Sequence, residues 1–363
     1  MMNKKRALDL LLELIREELW QQPVCHKTDA TTTFTGMMQI AEEQCVQGLV
    51  INSLFRRNEN IGKSNVLKCL SYKQQIEKNN KKLDDALVKL AAVLNAHNIG
   101  YVVFKGQTAA AYYPNPALRM AGDIDFYCAD ADYRRAQGII TKELGVNFEP
   151  TDIVDRHDSF TMDGVSFEMH YKMEILGSAR HQRCYDSIMN DAVAAPLYID
   201  FGGTPVATLA PTYNVLHIFK HLFNHLLVEG VGIRQFCDLA IILERNAGLI
   251  DADLLERSLR GIGYWKAFLA TGAFLVKHLG LSAVKFPYHL SDKDYAWGDK
   301  ILNAVMAHGN FGRFNRRKTS SRVARSLETA RIAFGHCLTF FPLAPTDIIH
   351  LIPRRIGITL KKY

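Results

Sequence analysis

The 363-residue sequence lacks the features that mark disulfide-rich, membrane-spanning and low-complexity proteins. Its seven cysteines are an odd number and include no CxxC pair, which is typical of reduced core thiols and not of disulfides or a zinc site. The chain has no run of about 18 apolar residues, so no transmembrane segment is expected. It also has no internal repeat and no low-complexity linker. These absences favour a globular, cytoplasmic protein.

Excess charge of either sign is also scarce. The formal net charge is +7 over 363 residues, which permits an anionic substrate but does not indicate a nucleic-acid partner. Basic residues concentrate between positions 313 and 331, where Phe311 and Phe314 at the start are the aromatics available to stack on bases. We therefore expect no long nucleic acid as a partner. The role of the basic segment stays open between a solvated face and a phosphate or lipid contact.

The pattern of apolar residues divides the chain into three regions. Residues 1–97 are predicted to be helical, with helices near 36–57 and 65–97. Residues 98–208 alternate strands and helices, and residues 209–363 are again predicted to be helical from Pro211 onward. The predicted fold class is α/β of the mixed α+β kind, with a small mixed sheet between N- and C-terminal helical regions.

Residues 101–128, YVVFKGQTAAAYYPNPALRMAGDIDFYC, are the most informative stretch. The β-branched and aromatic run 101–104 predicts a buried strand. Lys105 and Gly106 are predicted to form a turn, and residues 107–113 are predicted to form a short helix. A strand that delivers a glycine to a helix N-terminus leaves backbone N–H groups that can bind phosphate. The alternative is that Gly106 only makes the turn.

Two carboxylates follow in the same stretch. Asp123 and Asp125 lie two apart on a predicted strand, so both project from one face while Ile124 and Phe126 enter the core. A carboxylate pair supplies the hard oxygen ligands that Mg²⁺ prefers, with phosphates or waters in its remaining positions. The alternative is a pair of exposed aspartates at a strand edge.

A third acid lies in residues 165–171, VSFEMHY. Alternation along this predicted strand places Ser166, Glu168 and His170 on its polar face. Glu168 can therefore face the two aspartates from a neighbouring strand. The alternative is a half-exposed antiparallel strand with a solvated glutamate.

In combination these motifs resemble the nucleotidyltransferase superfamily that includes DNA polymerase beta. They resemble more closely a bacterial family of uncharacterised nucleotidyltransferases. The residues that carry the resemblance are Lys105-Gly106, Arg119, Gly122-Asp123-Ile124-Asp125 and Glu168. Gly106-Gln107 departs from the Gly-Ser or Gly-Gly of most of the superfamily and fits the closer family.

The resemblance implies a two-metal transfer of NMP from an NTP, with Mg²⁺ or Mn²⁺ as cofactor. Asp123 and Asp125 would hold the cation that binds the triphosphate. Glu168, together with one of these aspartates, would hold a second cation that activates an acceptor hydroxyl. The implied triphosphate contacts are Lys105, Gly106, Gln107, Arg119 and Gly122.

The NTP and the acceptor are not determined by the sequence. We expect a small molecule, a sugar or a protein side chain as acceptor. Two other functions stay open: an inert nucleotide-binding or adaptor protein on the same fold, and a magnesium-dependent phosphohydrolase.

The first C-terminal helix places His217, His221 and His225 four residues apart on one face. One helix face offers only adjacent pairs in chelating geometry, and no cysteine or carboxylate nearby in sequence completes a tetrahedral zinc site. The resembled family has a histidine-rich helix here, followed by residues that match Arg234 and Asp238. Lys220 and His221, or His225, are therefore candidates to line the nucleotide cleft, and packing between domains is the alternative.

Overall fold

The computed structural model describes residues 2–22, 30–149, 156–310 and 322–351, with side chains described throughout except at 2–4, 30–32, 130 and 322–327. Most of the basic segment at 313–331 therefore lies outside the described side chains; Arg331, which is described, pairs with Glu328 at 2.8 Å. None of the helices in the described ranges has the length and apolar character needed to cross a bilayer. The six cysteines in these ranges carry free thiols.

Four α-helices precede the sheet in the described part of the N-terminal region. They are α1 (Met2–Trp20), α2 (Ala30–Glu43), α3 (Gln47–Arg56) and α4 (Lys63–Ala96). The single helix predicted near 36–57 is in fact two, because Cys45 adopts a positive φ of 55° that an α-helix cannot accommodate. The long helix predicted at 65–97 is present as α4.

The central region forms a six-stranded sheet with the order β3-β4-β2-β1-β6-β5. Its strands are β1 (Tyr101–Phe104), β2 (Asp123–Cys128), β3 (His157–Met162), β4 (Val165–His170), β5 (Leu197–Phe201) and β6 (Thr204–Thr208). The connecting helices are α5 (Gly106–Ala110), α6 (Asp130–Leu144) and α7 (Ala179–Ala194). Strand β2 runs antiparallel to β1 and parallel to β4, so the sheet is mixed.

The strand register gathers the polar residues on one face of the sheet. Asp125 of β2 lies opposite Glu168 of β4, and His157 of β3 lies opposite His170 of β4. Because side chains on a strand alternate between faces, Asp123 shares the face of Asp125, and Glu168 shares that of His170. Three adjacent strands therefore present carboxylates and imidazoles to the same side.

The opposite face of the sheet is apolar. Ile124 and Phe126 of β2 pack with Phe167 of β4 in a core that includes α4 and α6. Leu87 and Leu94, spaced by two turns of α4, supply the helix side of this core. Burial of this face fixes the register, since a slip of one residue would turn the carboxylates into the core.

Among the residues that the structure describes, six α-helices follow the sheet. They are α8 (Pro211–Val228), α9 (Ile233–Asn246), α10 (Ala252–Gly261), α11 (Trp265–Leu279), α12 (Asp292–His308) and α13 (Arg322–Phe340). A second core joins these helices to α1, α2 and α3, and includes Val102 and Phe104 from the polar side of the sheet. The structure confirms the predicted mixed α+β class, with helical regions before and after the strands along the sequence.

Candidate active site

A cleft of about 530 Å³ lies between the polar face of the sheet and helices α8 and α9. Its volume is in the range of about 300–1,000 Å³ that small-molecule sites occupy. Its charged and histidine side chains are Lys105, Arg119, Asp123, Asp125, Arg156, His157, Glu168, His221, His225, Glu229, Arg234 and Asp238. Gly106 and Gly122 also line it, so most of the predicted site residues meet in one cavity.

The two aspartates of β2 have different environments in this cleft. Asp125 is 7 % exposed, and its Oδ1 lies 3.1 Å from Lys105 Nζ and 2.9 Å from His170 Nε2. Burial alone would raise the pKa of Asp125, but Lys105 and His170 outweigh it and hold that pKa well below its usual range. Asp123 is exposed at the start of β2, and its partial desolvation in the cleft together with the neighbouring Asp125 charge raises its pKa. The pair therefore concentrates negative charge that a cation can neutralise.

Glu168 lies beside Asp125 on the next strand, as its register requires. Its Oε2 is 3.4 Å from His170 Nε2 and 3.5 Å from His157 Nδ1. The carboxyl oxygen and the two ring nitrogens of Glu168, His170 and His157 all lie within 4.8 Å of one another, a spacing that a metal ion can bridge. The structure thus brings the third predicted acid to the aspartate pair.

The turn between β1 and α5 has a strained backbone. Lys105 has φ 62° and ψ −148°, and Gly106 follows with φ 41°. Holding a residue other than glycine at such positive φ values costs on the order of 1–3 kcal/mol, and this strain is often found at functional sites. The conformation aims Lys105 Nζ at Asp125. Helix α5 spans only five residues, so few aligned peptide dipoles stand behind the turn.

Two of the predicted nucleotide contacts are not among the residues that line the cleft. Gln107 is buried, and its Nε2 donates to Asp84 Oδ1 at 2.5 Å, on helix α4. Lys220 is fully buried, with its Nζ 4.9 Å from the centre of the Tyr264 ring. It precedes His221 by one residue, and the 100° rotation of the helix per residue turns it away from the cleft.

Arg119 reaches the cleft but is held by Asp238 of α9. Its Nε donates to Asp238 Oδ1 at 2.9 Å and its Nη2 to Asp238 Oδ2 at 2.7 Å. The Tyr113 hydroxyl donates to the same carboxylate at 2.7 Å. Both charged residues are at least nine-tenths buried. The pair is a cross-link between the segment before β2 and helix α9.

Helix α8 presents His221 and His225 to the cleft. Glu174, fully buried, accepts from His221 Nδ1 at 2.8 Å and from Arg156 Nη1 at 2.6 Å. Burial alone would raise the pKa of Glu174, but Arg156 and His221 hold it well below its usual range. Burial, Lys105 and His225 lower the pKa of His221, so this ring is neutral. Its Nε2 therefore accepts from His225 Nε2, 3.0 Å away.

Sequence reasoning missed Glu174, Arg156 and His157 as residues of this region. The carboxylate that seemed absent from the histidine helix is Glu174, which lies 47 residues before His221. His157 is the first residue of β3, and the two-residue alternation along residues 157–162 could have found it. Nothing in the sequence marks Arg156 or Glu174, because the elements that carry them meet only in the folded chain.

The chain is similar in sequence to one family of known proteins. The model of a family described as uncharacterised nucleotidyltransferase matches residues 32–280. No curated protein matches the sequence significantly. Among solved structures, an antigenic nucleotidyltransferase-like protein from Paracoccidioides brasiliensis aligns with a TM-score of 0.37 and 12 % identity, covering 60 % of this chain and 97 % of that chain.

Proposed function

The chain belongs to the family of uncharacterised nucleotidyltransferases, and we propose that it moves an NMP group from an NTP to an acceptor hydroxyl and releases pyrophosphate. The observation that carries the proposal is the meeting of Asp123, Asp125 and Glu168 at one wall of the cleft. Membership of the polymerase beta superfamily and a two-metal mechanism are parts of the same proposal.

The residues at this wall fit Mg²⁺ or Mn²⁺. Three carboxylates supply the oxygen ligands that these ions prefer, and the cleft leaves room for phosphate oxygens and water. Asp123, Asp125 and Glu168 would hold the cations. When bound, the ions would neutralise triphosphate charge and make an acceptor hydroxyl more acidic.

The basic residues of the cleft bind and orient the triphosphate in this proposal. Lys105 stands at the carboxylate wall, 3.1 Å from Asp125. Arg234 lines the cleft from α9; its Nη1 donates to Met120 O at 2.7 Å, and its buried Nε has no hydrogen-bond partner among the described residues. An unsatisfied guanidinium N–H is costly to bury, and a phosphate oxygen would satisfy it.

His221 contributes to this site as a neutral ring. Glu174 fixes its orientation, and its low pKa removes any positive charge at pH 7. It can therefore bind the nucleotide or acceptor through a hydrogen bond and not through an ion pair. Its Nε2 can accept a hydrogen bond from an acceptor hydroxyl that displaces His225 from it.

The proposal predicts that NTP binding requires a divalent cation, because the carboxylates and a triphosphate repel each other. Titration calorimetry with each NTP, in Mg²⁺ and in EDTA, measures this dependence. Asp125→Asn should abolish NMP transfer while the circular dichroism spectrum stays unchanged. Asp85→Asn, the same change on the exposed face of α4, is the matched control. Equal affinity in Mg²⁺ and EDTA would contradict the proposal.

A screen for transfer follows from the same site. The protein is incubated with each NTP, Mg²⁺ or Mn²⁺, and candidate sugars, small hydroxyl compounds or proteins, and both pyrophosphate and NMP adducts are measured. Pyrophosphate with an adduct supports a transferase. Phosphate release without an adduct would support the phosphohydrolase instead.

A further inference from the structure

Helix α13 carries apolar residues on two opposite faces. Its inner face packs against α8: Phe340 is buried in the core that includes α8, and His336 Nδ1 donates to Leu226 O at 2.6 Å. Its outer face carries Phe334 and Leu338, which are 53 % and 61 % exposed. Because the inner face is packed, the outer face is held toward solvent.

The exposed apolar residues are neighbours of one another. Phe334 and Leu338 lie four residues apart and therefore on one side of the helix. Phe341, which is 41 % exposed, follows three residues later at the start of a 3₁₀ turn and continues that side. We call these three residues the outer patch. Single exposed apolar side chains are normal on a protein surface, whereas a contiguous group of large ones indicates a binding surface.

The sequence on both sides of the outer patch is strongly basic. Residues 309–327 and 348–363 contain ten of the 44 lysines and arginines and none of the 37 acidic residues. The rest of the chain therefore has 34 cationic residues against 37 acidic ones. These two segments thus carry the whole net positive charge of the protein.

We propose that the outer patch and its basic flanks dock on a membrane surface that contains anionic lipids. Phenylalanine and leucine side chains can enter the boundary between head groups and acyl chains, and lysines and arginines attract the anionic head groups. The inference goes beyond the proposed function and does not depend on it, since docking needs neither a nucleotide nor the carboxylates of the cleft.

The composition of this surface favours a lipid over two other partners. A single-stranded nucleic acid would stack its bases on aromatic rings, but the aliphatic Leu338 in the middle of the outer patch offers no ring. A second copy of the chain would bring two strongly positive surfaces together, and like charges repel. An anionic bilayer matches both the apolar and the positively charged parts.

Vesicle flotation tests the proposal with the full-length chain and no nucleotide. The protein is mixed with vesicles of phosphatidylcholine alone, or of two parts phosphatidylcholine to one part phosphatidylserine, and the floated fraction is measured. We expect binding to the vesicles with phosphatidylserine that falls as salt is raised, because salt screens the attraction to the head groups. An absence of binding, or equal binding to both kinds of vesicle, would overturn the proposal.

The apolar part is tested by the double variant Phe334→Ser with Leu338→Ser. Complete burial of one such side chain is worth a factor of about 10 to 100, and about half of each is exposed. The partition coefficient of the double variant should therefore fall by about 10- to 100-fold. Leu67→Ser with Leu249→Ser is the matched control, since these leucines are 68 % and 70 % exposed on other elements. A control that loses as much binding would contradict the outer patch as the docking site.

The charged part is tested by the triple variant Arg316→Gln, Arg317→Gln and Lys318→Gln. Each cation near an anionic surface contributes a factor of about five, so this variant should bind the vesicles about 100-fold more weakly. The matched control removes the same net charge from exposed positions on α4, by Lys78→Gln, Lys81→Gln and Lys82→Gln. Equal losses in the two triple variants would indicate attraction by net charge alone and would exclude a specific docking surface.

Two further measurements identify a different occupant if the vesicles are not bound. Binding of a single-stranded oligonucleotide that the triple variant at 316–318 abolishes would assign the surface to a nucleic acid. A dimer seen by light scattering and lost in Phe334→Ser with Leu338→Ser would assign the outer patch to a second copy. Either result without vesicle binding would refute the lipid surface.

Discussion

The ion pair between Arg119 and Asp238 offers the sharpest test of how the cleft is built. Asp238→Asn keeps the size of the side chain but removes its charge. Both partners are nearly inaccessible, with Arg119 3 % and Asp238 4 % exposed. Burial alone would lower the pKa of Arg119, and the Asp238 carboxylate is what raises it above its usual value. The variant therefore leaves a buried guanidinium without its counter-charge.

The expected loss of stability in Asp238→Asn is large because three hydrogen-bond donors converge on the Asp238 carboxylate. Arg119 donates twice to Asp238, and Tyr113 donates once. Removing one partner of such a buried pair lowers the free energy of unfolding by about 3–5 kcal/mol. In the double variant Arg119→Met with Asp238→Asn, no buried charge remains and the amide can still accept from Tyr113. The double variant should therefore be more stable than Asp238→Asn alone.

Urea unfolding followed by circular dichroism measures these differences. Asp85→Asn is the control, because Lys81 and Asp85 form an exposed pair on α4 whose loss should change stability little. An Asp238→Asn variant as stable as the Asp85→Asn control would refute the reasoning. The reasoning would also be refuted if the double variant lost as much free energy of unfolding as the two single variants together.

Two further predictions concern catalysis and pH. Glu168→Gln should reduce turnover more than NTP affinity, measured by transfer kinetics and calorimetry, because in the proposed mechanism Glu168 serves the acceptor side; unchanged turnover would remove it from that proposal. Burial lowers the pKa of His217 from 6.5 to about 3. The unfolded chain therefore binds this proton first, and stability should fall as pH drops from about 6.5 toward 3, by up to about 1.4 kcal/mol per pH unit. Thermal unfolding across this range should show a shallower slope in His217→Gln, and an identical slope would contradict the assignment.

The sequence by itself determined the elements with strong local patterns. Helix α4 was predicted at 65–97 and spans Lys63–Ala96, and helix α8 begins at Pro211 as predicted. These predictions succeed because helix periodicity and proline at the first helical turn act within a few residues. The common face of Asp123 and Asp125 was equally local, since it follows from the two-residue period of a single strand.

Only the tertiary structure decided which distant residues meet. Glu168 reaches Asp125 through the parallel pairing of β2 and β4, and Asp238 reaches Arg119 through the packing of α9. Strands β5 and β6 and helix α7 were not predicted individually; strands of five residues, such as β5 and β6, carry weak sequence patterns. Long-range pairing depends on which apolar faces bury each other, and no single stretch of sequence records that choice. The sequence predicted the three acids Asp123, Asp125 and Glu168. Only the fold brought Arg156, His157 and the buried Glu174 into the same region.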